Sequence, residues 1–241
     1  NKWELDVQGY LNVCNISDAL PRQQIRDFAK GVNDLGLWNS MVCWPLRSSQ
    51  NYGSGTTAFS LGGLGAFNGT LVNGPTWEAD GSGISGFLQN SSVQIQTAAN
   101  YNFNNANTVF ACARKTASGD LRLVGQVNST PLFAGSANIR YFNGSTSGGT
   151  APSAAVNSRA TFSHAFGAST VEGILNGGTP VSSAYVPFNA AMQFYIGQGG
   201  GNGWVGDISF VALFDVAVTT AQHSTLHTLY KETLGTGLGL P

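Results

Sequence analysis

The sequence predicts an all-β sandwich of two antiparallel sheets, with one helix near the N-terminus and one near the C-terminus. Three observations predict it. From Ala58 to Ile196, short apolar runs recur and each is closed by Gly, Asn, Ser or Pro, the strand-and-turn rhythm of a sandwich. The stretch from Gln193 to Val218 reads as a strand, a glycine-rich turn and a longer strand. Apolar residues at helical spacing stand out in two stretches, one towards each end.

The stretch from Gln193 to Val218 organises the rest. Phe194-Tyr195-Ile196 stops at Gly197, and Gly199, Gly200, Gly201 and Gly203 free the backbone for a turn. Trp204 starts the return. Ile208, Phe210, Ala212 and Phe214 fall on one face at period two, with Ser209, Val211 and Leu213 on the other. Both faces are nearly apolar, which predicts a central strand covered on both sides.

In chain order, Trp3, Leu5 and Val7 alternate with polar residues and predict a first strand. A helix over 21–35 follows. Pro21 suits its first position, Ile25, Phe28, Ala29, Val32 and Leu35 repeat at helical spacing, and Gly36 stops it. Leu37-Trp38 and Met41–Leu46 then enter the core. Further strands are expected at Val93–Gln96, Thr108–Ala113, Leu121–Val124, Ile139–Phe142, Thr161–Phe166 and Thr170–Leu175. Asn73-Gly74-Pro75, Ser118-Gly119-Asp120, Asn143-Gly144 and the loop 147–150 separate them. A second helix over 220–233 is announced by a Thr219-x-x-Gln222 capping box, with Leu226, Leu229, Tyr230 and Thr233 inward.

The pattern Ile196-Gly197, a glycine-rich loop, then Gly206-Asp207-Ile208-x-x-Val211-x-Leu213-Phe214-Asp215 resembles the closing strands of concanavalin A-like jelly rolls. That superfamily includes the laminin G, pentraxin and legume-lectin groups. Upstream, Val171–Gly178 looks like the family's strand and hairpin turn, with Asn176-Gly177 at the turn. Residues 18–65, a helix followed by Leu35-Gly36-Leu37-Trp38 and an apolar strand near Pro45, resemble a leader seen before lectin-like domains in tailed-phage structural proteins. The resemblance divides the chain into a leader over 1–56, capping one open end of the sandwich, and a jelly roll over 57–241. It implies that the C-terminal helix packs at the sandwich rim.

Charged residues make up 10% of the chain, against about 25% in ordinary domains. The net charge is −1, with 11 scattered Lys and Arg, so phosphate neutralisation is not expected and nucleic acid is not a predicted partner. No apolar run reaches the ~18 residues of a membrane span. Cys14, Cys43 and Cys112 form no disulfide framework, and Cys43 and Cys112 read as buried thiols. The five Asn-x-Ser/Thr sites, at Asn15, Asn68, Asn90, Asn128 and Asn143, match chance for this composition.

Glucanases share the jelly roll, and their chemistry needs two carboxyls on one strand. Glu78-Ala79-Asp80 is followed by Gly81, Ser82 and Gly83, so the second Glu is missing and no catalytic residue is expected. His223 and His227 stand four apart without the Glu a zincin would use, and read as a solvated helix face. His164 has no evident triad partner. No Asp-rich loop suggests calcium, so neither metal nor cofactor is expected. Sugar binding is the live activity, because lectins stack a ring on the sugar and hold its hydroxyls with amides and carboxylates. Trp204 beside Asn202 and Asp207 has that chemistry, with Tyr141, Asn143 and Tyr185 as weaker candidates. The favoured reading of Trp204 is nonetheless structural: five glycines around one indole and the core strand that continues from it place the ring inside the sandwich.

The resemblance and the absent active site together predict a non-enzymatic structural protein on the exterior of a tailed-phage virion. It would decorate the capsid or form part of a tail fibre, as a homo-oligomer among other virion proteins, with surface glycans as a further ligand. A secreted or cell-surface carbohydrate-binding module or adhesin is the competing expectation.

Overall fold

The computed structural model describes residues 1–88, 92–103, 106–126, 129–134, 138–142, 147–186, 190–199 and 202–241. Three helices, α1 (Lys2–Val13), α2 (Ala19–Asp34) and α3 (Thr220–Glu232), accompany two eight-stranded antiparallel sheets. One sheet runs Val181–Ala184, Thr170–Leu175, Arg159–Phe166, Asn107–Lys115, Gly206–Phe214, Ile84–Ser85, Thr76–Trp77, and Met41–Pro45 also pairs with Gly206–Phe214. The other runs Ser147–Pro152, Asn138–Phe142, Ser129–Ala134, Leu121–Gln126, Ala190–Ile196, Gln94–Phe103, Gly69–Val72, Thr57–Ala58. The chain passes repeatedly from one sheet to the other, which is the jelly-roll arrangement expected from the sequence. The Asn176-Gly177 turn is present, with φ of 52° and 64° as a tight hairpin requires.

Gly206–Phe214 is the central strand predicted, buried on both faces between Asn107–Lys115 and Met41–Pro45. One detail of its pattern is corrected. Ile208 pairs with Ala113 and Phe210 with Cys112, so Ser209 is an extra residue, a β-bulge. The bulge reverses the alternation. Ile208 joins Val211 and Leu213 between the sheets, while Phe210, Ala212 and Phe214 face the helices.

The helices lie on the outer face of this first sheet, not at an open end or rim. Phe28 of α2 meets Phe210 edge-on at 5.3 Å, and Tyr230 of α3 lies 4.8 Å from Phe210 and 6.0 Å from Phe110. The apolar outer face of the central strands demands such a cover. Between the sheets, Trp44 stacks on Phe194 at 5.5 Å. The molecule is therefore three-layered: helices, helix-backed sheet, second sheet.

The strand expected at Trp3–Val7 is instead the start of α1. Val7, Tyr10, Leu11 and Cys14 are buried at helical spacing, whereas Leu5 is 75% exposed. A three-point alternation fits either period; the residues beyond it decide. Helix α2 begins two residues before Pro21, which sits in its first turn. Helix α3 keeps its capping box, Gln222 N donating to Thr219 Oγ1 at 3.3 Å and Thr219 N to Gln222 Oε1 at 2.9 Å. All three cysteines are buried free thiols. Among the described residues no helix is long and apolar enough to cross a membrane.

Candidate functional site

Among the described residues, the sequence-predicted sugar residues do not meet on the surface. Trp204 is fully buried between the sheets, edge-on to Phe162 at 5.9 Å, with its Nε1 donating to the Arg114 carbonyl at 3.2 Å. The glycines beside it serve close packing. A Cβ on Gly206, at φ +135°, would stand 1.9 Å from the Arg114 carbonyl oxygen. Asn202 is half-buried in a two-residue ladder with Gln198–Gly199. Asp207 is buried and clasped by two guanidiniums, Arg114 Nε at 2.8 Å and Arg159 Nη2 at 2.5 Å. Tyr141 and Tyr185 are also buried, edge-on to each other at 5.5 Å, and the Tyr141 hydroxyl donates to the Ala184 carbonyl. Asn143 lies outside the described residues.

Glu78 hydrogen-bonds Ser85 across the Thr76–Ser85 hairpin, and Asp80 accepts from Ser82 N at 2.9 Å in its turn. Among the described residues no group of three His, Cys, Asp or Glu side chains gathers as a metal site would.

His223 and His227 correct the expectation of a solvated face. They are 1% and 8% exposed and point onto the helix-backed sheet. Their Nδ1 atoms lie 2.8 Å from Ser163 Oγ and 2.8 Å from Thr161 Oγ1. The match is geometric: two strand residues span about 6.7 Å and four helical residues about 6 Å. Ser163 donates to the Val109 carbonyl at 3.0 Å, so its oxygen accepts from His223 Nδ1–H. The tautomer that follows leaves Nε2 a bare acceptor, and it has no hydrogen-bond partner among the described residues. Burial, then the nearby His164, pulls the His223 pKa down to about 4.

The outer face of the second sheet is partly accessible. Ile95, Phe194, Ile196, Leu121, Leu123, Val124 and Ile139 are buried in the core, while Gln94, Gln96, Gln193, Tyr195, Arg122, Arg140 and Phe142 are half-buried on the other side, with bulges interrupting the alternation between Arg122 and Val124 and between Gln193 and Tyr195. Tyr195 stands opposite Gln96 on one side and Gly125 on the other, so one flank of its ring faces a position without a side chain. Beside it runs an amide chain, Gln94 Nε2 to Gln96 Oε1 at 3.3 Å and Gln96 Nε2 to Gln193 Oε1 at 2.5 Å. At the far side Arg122 and Arg140 both stand opposite Phe133 in register, hence in one row. The Arg122 guanidinium lies 6.0 Å from the Phe142 ring centroid, and Arg140 Nη1 lies 3.1 Å from Asp120 Oδ2. Burial lowers the Arg122 pKa, opposed by Asp120. A half-buried ring with amides on one side and a glycine on the other can stack a sugar and bond its hydroxyls. Sequence reasoning missed this face, although its signal was present in Gln94-x-Gln96 and Gln193-x-Tyr195, the polar half of two strands.

No protein-family model and no curated protein matches the chain. Solved structures do. Trypanosoma rangeli sialidase in complex with the inhibitor DANA superposes with a TM-score of 0.58 at 13% identity, over 89% of this chain and 39% of the sialidase. A mutant of that sialidase displaying trans-sialidase activity gives a TM-score of 0.58 at 14% identity, over the same 89% and 39%. Domain 4 of a GH43 extracellular arabinanase from Geobacillus stearothermophilus, in complex with arabinotriose, gives 0.48 at 14% identity, over 78% of this chain and 87% of that domain. The chain thus spans about two-fifths of the sialidases' length, and at these identities the likeness is one of fold.

Proposed function

We propose that this chain is a non-enzymatic recognition module that binds glycans on the outer face of its second sheet. The observation that carries the reading is Tyr195, a half-buried ring on an uncovered sheet, bordered by the Gln94–Gln96–Gln193 amide chain and by Gly125. Stacking on such a ring supplies much of a weak lectin's affinity, and amides supply the hydroxyl contacts. Trp204, Asp207, Tyr141 and Tyr185 are buried, which favours Tyr195 over Trp204 as the binding ring. The non-enzymatic reading is supported by the engagement of Glu78 with Ser85 and by the missing second Glu. A glycan array probed with wild type and Tyr195→Ala tests it. Wild type should bind a subset of glycans and Tyr195→Ala should lose them at least tenfold with an unchanged melting temperature. Turnover of a bound glycan, abolished by Glu78→Gln in a folded protein, would contradict the non-enzymatic reading.

We place this module on the exterior of a tailed-phage particle, in a capsid decoration or a tail fibre, as a homo-oligomer among other virion proteins. The support is the leader-like segment over 18–65 and the low charge of the chain. Capsid or tail genes beside its reading frame are the expected result. A secretion signal upstream, with cell-wall genes as neighbours, would favour a cellular adhesin instead.

A further inference from the structure

A cleft of about 450 Å³ lies between helix α1 and residues 59–68, and it shares no residue with the face that carries Tyr195. Its volume is that of a ligand site. One wall offers unpaired main chain. Leu61 exchanges both its backbone hydrogen bonds with Cys43, its N donating at 2.8 Å and its carbonyl accepting at 2.7 Å. The Ser60 amide donates to Asn68 Oδ1 at 2.9 Å. The Ser60 carbonyl, both main-chain groups of Gly62 and the amides of Gly65 and Ala66 make no hydrogen bond among the described residues. An edge left open in this way can pair with the main chain of another strand. The other wall is apolar. Leu5, Gly9 and Val13 follow one another at successive turns of α1, with Leu5 75% and Val13 53% exposed. A Cβ on Gly9 would meet nothing within 4 Å, so no contact within the chain requires a glycine, a poor helix former, at this place. Its bare backbone leaves a notch between two aliphatic side chains. The two charged residues of the lining, Lys2 and Asp6, pair with each other at 3.0 Å.

We propose that this cleft binds a short, extended segment of a partner protein, one with uncharged, apolar side chains. The segment's main chain pairs with Ser60 and Gly62, and one of its side chains fills the notch at Gly9 between Leu5 and Val13. The size of the site favours a segment over a second copy of this chain. Helix α1 has 12 residues and is about 18 Å long. A strip of that length falls well short of the roughly 800 Å² that each partner buries in a stable complex. The ion pair of Lys2 with Asp6 leaves the cleft without net charge, so an uncharged segment is its electrostatic match. Two exposed aliphatic side chains at the rim favour peptide over sugar, which stacks on aromatic rings.

The test uses the intact protein and synthetic heptapeptides, blocked at both ends, in which Ala, Val, Leu, Ile or Phe alternates with Thr. Binding is followed by amide chemical shifts. The expected result is that at least one heptapeptide binds and shifts Gly9, Ser60 and Gly62. N-methylation of its central amides should weaken binding at least tenfold, because it removes the main-chain donors. Gly9→Leu, which fills the notch, should weaken it at least tenfold as well. A melting temperature establishes that this variant is folded; should it fail to fold, the shift map and the N-methylated peptide decide with the wild type. No binding by any heptapeptide, shifts centred elsewhere, equal binding after N-methylation, or a folded Gly9→Leu that binds as wild type would overturn the proposal. So would a glycan that displaces the peptide from the cleft, or a dimer of this chain that Gly9→Leu dissociates, since each names a different occupant.

Discussion

His223 Nδ1 stands 2.8 Å from the Ser163 hydroxyl, beneath a helix and beyond the reach of solvent. The pair ties α3 to the Arg159–Phe166 strand, and it works only while the imidazole is neutral. Ser163 already spends its proton on the Val109 carbonyl, and a protonated ring would carry a charge and a second, unpartnered donor into an apolar layer.

Stability should therefore fall with acidification. The folded pKa of His223 is depressed to about 4, below the ordinary value near 6.5. Between those values the unfolded chain binds a proton that the folded chain refuses, so the stabilisation is full above about pH 6.5 and is lost as pH drops towards 4. The shift corresponds to roughly 3 kcal/mol. His227, whose pKa is also lowered, chiefly by burial, adds in the same direction. Urea unfolding at pH 7 and pH 4.5 checks this: the loss should be smaller in His223→Asn, and identical pH profiles would refute the role of His223.

Trp204→Ala should cost about 3–5 kcal/mol, the price of a large cavity between the sheets. The ring is fully enclosed against Phe162. Thermal melts of the two proteins measure it. A small loss of stability accompanied by a loss of glycan binding would return Trp204 to the surface role first considered for it.

Asp207→Ala should destabilise by about 3–5 kcal/mol, because it leaves the guanidinium of Arg159, 8% exposed, without its carboxylate. Arg114→Ala should cost less, since Arg114 is 42% exposed and Asp207 keeps its partner Arg159. Chemical unfolding of both variants gives the order, and a larger loss for Arg114→Ala would reverse the account of the cluster.

Much of the fold was legible because one segment over-determined it. A strand apolar on both faces, from Ile208 to Phe214, demanded cover on each side, and the helices and the second sheet supply it. What sequence could not show was phase. Ile208 changes face because Ser209 is a bulge, a fact visible only in pairing with Ala113 and Cys112. Trp3, Leu5 and Val7 fit a strand until Tyr10, Leu11 and Cys14 are known to be buried with Val7. The histidines misled for a related reason: a polar residue on a helix reads as solvated unless the hydroxyls opposite, Ser163 and Thr161, are known. The candidate site was the least legible part. The glycines and the core strand around Trp204 rightly placed that ring inside, but Tyr195 sits in a strand whose outward residues show their role only when the neighbouring strands are aligned beside it.

The most direct test of the central claim is a residue-resolved map of where a glycan touches the protein. Amide chemical shifts would be followed while the best-binding glycan is titrated in. The account predicts perturbations concentrated on Gln94, Gln96, Gly125, Gln193 and Tyr195, with residues 202–207 and the three helices unmoved. Shifts centred on the glycine-rich loop before Trp204, or on the helical layer, with the second sheet silent, would contradict it.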